Sequence, residues 1–358
     1  MKYIDNTLTS IIIRMPFNLF RSNGKKDIIK RSAWIESQIN DADALLQKMP
    51  ENLNEHFKGE WAIYSCAMYV AALSNIARQY PELCNFPLME KVIDIMLSPS
   101  IRAYDTNQWG SDALKTLDKT DKSHMTYLSL LAWAMSNYKL AGGTNKYDMT
   151  LHNCCDALNR RIINSPQFNL PSYPDGTVYF PDMLVAIVAL HNFSLLFGGR
   201  YAETVKTWIS RARGEWVDPQ TGLLPHILGS TSVRGSYTAL SCYYLSLIDA
   251  DFAKDQYDRM KKYLQTTLGI KEFADSSPKY MFDVDAGPII LGVSPSGTAF
   301  AVGSATFFND KYLKTKLLTI ADVFGGTTSN KNTRHYILAE YAFVGECVML
   351  AMKTNKRK

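Results

Sequence analysis

Several absences narrow this chain of 358 residues before any motif is weighed. It carries no strong charge of one sign: 39 Lys and Arg against 34 Asp and Glu leave a net charge of +5. Basic residues cluster only in "RSNGKKDIIKR" and "KTNKRK", which read as solvated ends rather than a nucleic-acid surface. The six cysteines (Cys66, Cys84, Cys154, Cys155, Cys242, Cys347) include no C-x-x-C pair and no Cys/His spacing suited to zinc. No spaced His and carboxylate set points to another metal, so neither a metal nor a cofactor is expected. Sitting in apolar stretches, the cysteines fit a reduced, cytoplasmic core. Long apolar runs are missing too. The stretch "LTSIIIRMPFNLF" is broken by Arg14 and Pro16, is too short to span a bilayer and has no A-x-A site after it. It reads as a cover for one end of the fold or, at most, a peripheral membrane anchor.

What the chain does have is a repeat. Apolar helical segments alternate with polar, amphipathic ones, joined by short turns rich in Gly, Asn or Asp. Marker tyrosines Tyr147, Tyr201, Tyr257 and Tyr312 recur at separations of 54, 56 and 55 residues. Extended in both directions, the period gives six apolar helices. The last, "HYILAEYAFVGECVMLAMK", lacks a polar partner, and the N-terminal "DIIKRSAWIESQINDADALLQKM" supplies one. Helices lipophilic nearly all round line an inner ring, and amphipathic ones bury one stripe against it. The pattern predicts an all-α (α/α)6 barrel of six helical hairpins over residues 28–353, preceded by a segment 1–27 and followed by a basic tail 354–358. An open solenoid of the same hairpins is the alternative, and it needs capping repeats that the sequence does not show.

Loop length points to the functional end. The loops entering the apolar helices, 99–123, 164–181, 215–234, 270–296 and 326–335, are long and converge at one mouth, where the N-termini of the inner helices also lie. That mouth receives Glu60, Trp61 and Tyr64; Tyr104, Asp105 and Trp109; Ser123 and His124; Tyr173, Asp175, Tyr179 and Asp182; His226, Arg234 and Tyr237; Asp283 and Asp285; and Arg334 and His335. In "FDVDAGPIILGVSPSG", an extended backbone would turn Asp283 and Asp285 to one side. Carboxylates sharing a site raise one pKa, leaving one proton donor and one base. A group titrating near neutrality, His124, would complete the set. Each residue also has a structural reading: Asp283 and Asp285 as turn-holding or capping acids, Asp182 as a helix-start acid, His124 as a core histidine. His56 reads as loop surface, His152 and His191 as packing residues. Candidate catalytic residues are therefore His124, Asp285, Tyr179, Asp182 and Asp283, with Glu60, Trp61, Tyr64, Trp109, Tyr173, Arg234 and Tyr237 binding a small-molecule substrate.

The segments "KSHMTYLSLLAWAM", "LAGGTNKYD", "SYPDGTVYFPDMLVAIVALH", "WVDPQTGLLP" and "FDVDAGPIILGVSPSGTAFA" resemble the linalool dehydratase/isomerase-like family of (α/α)6 barrels, from about residue 58 to 350. The resemblance implies cofactor-free acid-base addition or removal of water on an apolar alcohol such as a terpenoid, with His124 as the pocket histidine. Tyr179 and Phe180 stand where the founding enzyme has a Cys-Glu pair, and Val188 near its second Cys, so cysteine chemistry is not expected here. Three functions follow: a lyase or isomerase on an apolar alcohol or polyene, using His124, Asp285 and Tyr179; a glycan-active enzyme in which two carboxylates such as Asp182 and Asp285 flank a glycosidic bond; or a catalytically silent binding protein on the same scaffold.

Overall fold

The computed structural model describes residues 24–274 and 280–357. In chain order its helices are α1 (Lys25–Gln38), α2 (Ala42–Gln47), α3 (Glu55–Gln79), α4 (Phe86–Met96), α5 (Pro99–Trp109), α6 (Met125–Leu140), α7 (Asp148–Asn164), α8 (Phe180–Leu196), α9 (Ala202–Gly214), α10 (Gly235–Ser246) and α11 (Ala250–Leu264). After a small sheet come α12 (Pro295–Phe307), α13 (Lys311–Phe324) and α14 (Val344–Thr354). Six of these, α3, α6, α8, α10, α12 and α14, pack each on the next, and α14 returns to α3, so the inner ring closes. Closure settles the architecture as an (α/α)6 barrel and removes the open solenoid. The inner helices are buried nearly all round; α8, for example, has Phe180, Pro181 and almost every residue from Met183 to Phe193 inside. The outer helices α4, α7, α9, α11 and α13 each bury one face on the ring, as their amphipathic sequences require. α1 takes the sixth outer position against α14.

The expected segment 1–27 lies largely outside the described residues, though Asp27 is already buried inside α1. At the other end Thr354 and Asn355 are not a solvated tail. They are buried, and Asn355 donates to the Ser246 hydroxyl and the Gly303 carbonyl. All six cysteines are free thiols, five of them buried. No helix among the described residues is long and apolar enough to cross a membrane.

Two departures from the expected pattern matter for the mouth. The loop 99–123 is not all loop: Ser98 caps the helix α5 by accepting from the Ile101 N–H, and α5 lies against α3. Gly59 permits that approach, because a Cβ there would sit 2.5 Å from the Cβ of Tyr104. Between α11 and α12 the chain forms a five-stranded antiparallel sheet of order β1-β2-β5-β4-β3, from β1 (Gln265–Thr266), β2 (Gly269–Lys271), β3 (Tyr280–Asp283), β4 (Gly287–Ile290) and β5 (Val293–Ser294). Asp283 pairs with Gly287 across a tight turn. A second hairpin, β6 (Thr327–Ser329) and β7 (Arg334–Tyr336), precedes α14.

The marker tyrosines are not equivalent. Tyr147 and Tyr201 stand just before α7 and α9 and donate to Asp94 and Asp156 on the preceding outer helices, each at 2.6 Å. Tyr257 lies well inside α11 and bonds forward to Asp310, and Tyr312 is exposed.

Candidate functional site

Three carboxyl groups meet at the mouth, each from a different element. Glu60 lies in the second turn of α3, Asp182 in the first turn of α8, and Asp285 on the turn between β3 and β4. Burial, then the charges of Asp182 and Asp285, push the Glu60 carboxyl up to about 8, against a hydrogen bond from Tyr173. That hydroxyl reaches both Glu60 oxygens, at 3.1 and 3.4 Å. Asp182 is raised by burial and by Asp285 to about 6, although Ser172 and Thr126 donate to it. An acid in the first turn of a helix is usually eased toward ionisation by the helix dipole. Here desolvation wins. The protein around Asp285 raises its carboxyl, against the Tyr237 hydroxyl bonded at 2.7 Å, while the residue itself stays open to solvent. Neither Glu60 nor Asp182 has a Lys or Arg partner among the described residues.

An arc of rings surrounds these acids. Tyr104 meets His56 at 5.6 Å, His56 meets Tyr173 at 5.7 Å, Tyr173 meets Tyr179 edge-on at 5.7 Å, Tyr179 stacks on Tyr237 at 5.6 Å, and Tyr237 meets His226 at 5.5 Å. Burial pushes the phenols of Tyr173, Tyr179 and Tyr237 up, so each remains a hydrogen-bond donor at neutral pH. Tyr64 lies deeper, where it feels Asp182, Glu60 and Asp285 and receives a 3.5 Å contact from Tyr244.

Five residues depart from expectation: Asp283, Arg234, His124, Trp109 and His56. Asp283 does not face the cup as a free acid: one oxygen accepts the N–H groups of Asp285 and Ala286, the other pairs with Arg234 at 2.9 Å. The segment is a hairpin turn rather than an extended strand, so the same-side argument for Asp283 and Asp285 does not apply. Arg234 is a structural clamp. It pairs with the fully buried Glu272 at 2.6 Å as well as with Asp283 and lies over the Tyr237 ring, fixing the hairpin that carries Asp285 to the start of α10. Gly235 makes that junction possible, since a Cβ there would fall 2.0 Å from the Lys271 carbonyl oxygen.

His124 is not beside the acids either. Its ring is fully buried against the 105–116 segment, with Nδ1 2.7 Å from Asp105, Nε2 3.2 Å from Ser111 and Trp109 tilted over it at 5.5 Å. Trp109 accordingly packs on His124 rather than joining the aromatic arc. Trp61, at the mouth end of α3, is partly buried against the core. His56, set aside as loop surface, belongs to the site: it is half-buried, burial lowers its pKa, and its Nε2 lies 3.6 Å from Glu60 one helical turn on. The i, i+4 spacing of His56 and Glu60 at a helix start was the available signal. Nothing local marked Glu272.

No family model matches the chain, and no curated protein matches it. Solved structures do share its fold. A glycoside hydrolase of family 105 from C. acetobutylicum ATCC 824 superposes with a TM-score of 0.56 at 12% identity, over 91% of this chain and 99% of that one. A family 88 glycosyl hydrolase from Bacteroides vulgatus gives 0.54 at 10% identity over 92% and 97%, and a polysaccharide lyase 0.50 at 10% over 81% and 90%. These neighbours overturn the resemblance to the linalool dehydratase/isomerase-like family, and with it the terpenoid-like substrate.

Proposed function

We propose that the protein is a glycan-active acid-base enzyme that cleaves a glycosidic bond at the mouth of the barrel. The observation that carries this reading is the convergence of Glu60, Asp182 and Asp285 in one aromatic cup, with no Lys or Arg paired to Glu60 or Asp182 among the described residues. At neutral pH the Glu60 carboxyl, at about 8, is mostly protonated and serves as the donor to the departing sugar oxygen. Asp182, at about 6, is mostly ionised and either directs a water or stabilises positive charge on the sugar ring. Tyr237 holds Asp285 for a sugar hydroxyl, and the stacked pair Tyr179 and Tyr237 forms an aromatic wall for the apolar side of a pyranose. Among the described residues, the arginine beside the cup, Arg234, is already taken by Glu272 and Asp283, which favours a neutral glycan over an acidic one. The neighbouring folds named as glycoside hydrolases and a polysaccharide lyase support the class.

The test is release of reducing ends from a panel of neutral and uronate-containing oligosaccharides. At least one neutral substrate should be cleaved, and Glu60→Gln and Asp182→Asn should each lower kcat by about 10²- to 10⁴-fold. Cleavage that survives both substitutions, or a protein that neither cleaves nor is thermally stabilised by any member of the panel, removes the proposal.

A further inference from the structure

We propose a second hydrolytic centre behind the cup: Ser111 as a nucleophile for a short-chain acyl ester, with His124 as its base and Asp105 as the residue that orients the base. The geometry is that of a nucleophile bonded to a base that is in turn bonded to an acid. Asp105 accepts from His124 Nδ1 at 2.7 Å, which fixes the tautomer and leaves the Nε2 lone pair facing the Ser111 hydroxyl at 3.2 Å. Thr116 also approaches Nε2, at 3.5 Å, but its hydroxyl proton is directed to the Asp112 carbonyl at 3.0 Å. Ser111 is therefore the group whose proton His124 can take.

Three further observations separate this cluster from an ordinary buried histidine. His124 has left-handed backbone angles, φ 48° and ψ 24°, at the start of an inner helix, a conformation that costs a non-glycine residue free energy and collects at functional sites. The loop that carries Ser111 is held rigid from outside: Arg161 on α7 donates to the carbonyls of Thr116, Lys119 and Ser123 at 2.7 to 3.0 Å. Directly after Ser111, the peptide N–H groups of Asp112 and Ala113 find no acceptor among the described residues. In this proposal these two N–H groups are the donors to the oxyanion of the tetrahedral intermediate. Ser111 is partly exposed, whereas His124 and Asp105 are buried behind it.

The reaction balances with water as the second substrate. Ser111 Oγ forms a bond to the ester carbonyl carbon as its proton passes to His124 Nε2. The carbon-oxygen bond to the alcohol breaks, and the alcohol leaves with that proton. Water, deprotonated by His124, then releases the carboxylic acid and restores the hydroxyl.

This inference stands apart from the glycan reading. Purified full-length protein is treated with a fluorophosphonate, the adduct is located by peptide mass mapping, and hydrolysis of p-nitrophenyl acetate is followed in parallel. The expected result is a single adduct on Ser111 and ester turnover that Ser111→Ala abolishes without changing the melting temperature. Asp105→Asn should slow labelling at least tenfold. An unlabelled Ser111 in folded wild-type protein, or an adduct elsewhere, overturns the proposal whether or not the variants fold.

Discussion

Two regions of this barrel bury carboxylates, and they treat them in opposite ways. At the seam where α1 meets α14, Asp27, Asp322 and Glu346 lie among Arg31, Arg334 and Lys353 in a network closed from solvent. Burial would raise Asp27, but Lys353, Arg31 and Arg334 overcome it and hold its carboxyl below the usual range. At the mouth, Glu60 and Asp182 face other acids and rise instead. The low-polarity surroundings are similar, and the partner decides the sign. One region keeps its protons off so that charges can tie two helices together. The other keeps a proton near neutrality, where chemistry can use it.

The sharpest way to break this comparison is to remove one charge from each region. Arg31→Met strands buried acids and should cost about 3 to 5 kcal/mol of stability in chemical denaturation. Glu60→Gln relieves crowding among acids and should leave stability within about 1 kcal/mol of wild type or above it. Equal losses would erase the distinction.

A smaller effect sharpens it through pH. Glu60 and Asp182 bind their protons more tightly folded, at about 8 and about 6, than their ordinary values of 4.5 and 3.8. Their contribution is thus complete in acid and is lost as pH rises through those values, so denaturation midpoints should fall between about pH 4 and 8. Asp27 runs the other way, losing its contribution as pH falls below its ordinary 3.8. Glu60→Gln should flatten the upper part of the mouth's slope, and a curve unchanged by that substitution would contradict the assignment. Activity should follow a bell with limbs near 6 and 8, and conversion of Asp182 to Asn should remove what remains of the acid limb.

The smallest expected change is at the rim. Tyr179→Ala loses one stacked ring and should weaken oligosaccharide binding by about 0.5 to 1.5 kcal/mol, read as KM rising with kcat held.

Much of the fold was legible because six hairpins repeat one hydrophobic rhythm, and closure followed from the unpaired last helix. The small sheet was not, since strands of two to four residues are too short to display an alternation. The helix α5 had its Ser-Pro start in view, but its polar sequence hid it among loops. At the site, the residue types were readable and their partners were not. Glu60 and Tyr173, 113 positions apart, acquire a shared proton environment only through the ring. His124 is legible as a candidate but its neighbours are not, because its hydrogen-bond partners come from the segment just before it rather than from the hairpin carrying Asp285.

The seam also bears on how such a chain is made. Among the described helices α1 precedes all the others in the chain, and its neighbour in the ring, α14, follows them all. Until that final turn emerges, Asp27 and Arg31 can satisfy each other but not the rest of the network, and the ring has an open side through which every inner helix exposes apolar surface. Assembly therefore cannot proceed hairpin by hairpin to a finished product, as it can in a linear repeat. A chain cut before Val344 should be digested by proteases throughout, including at the mouth on the far side of the missing helix.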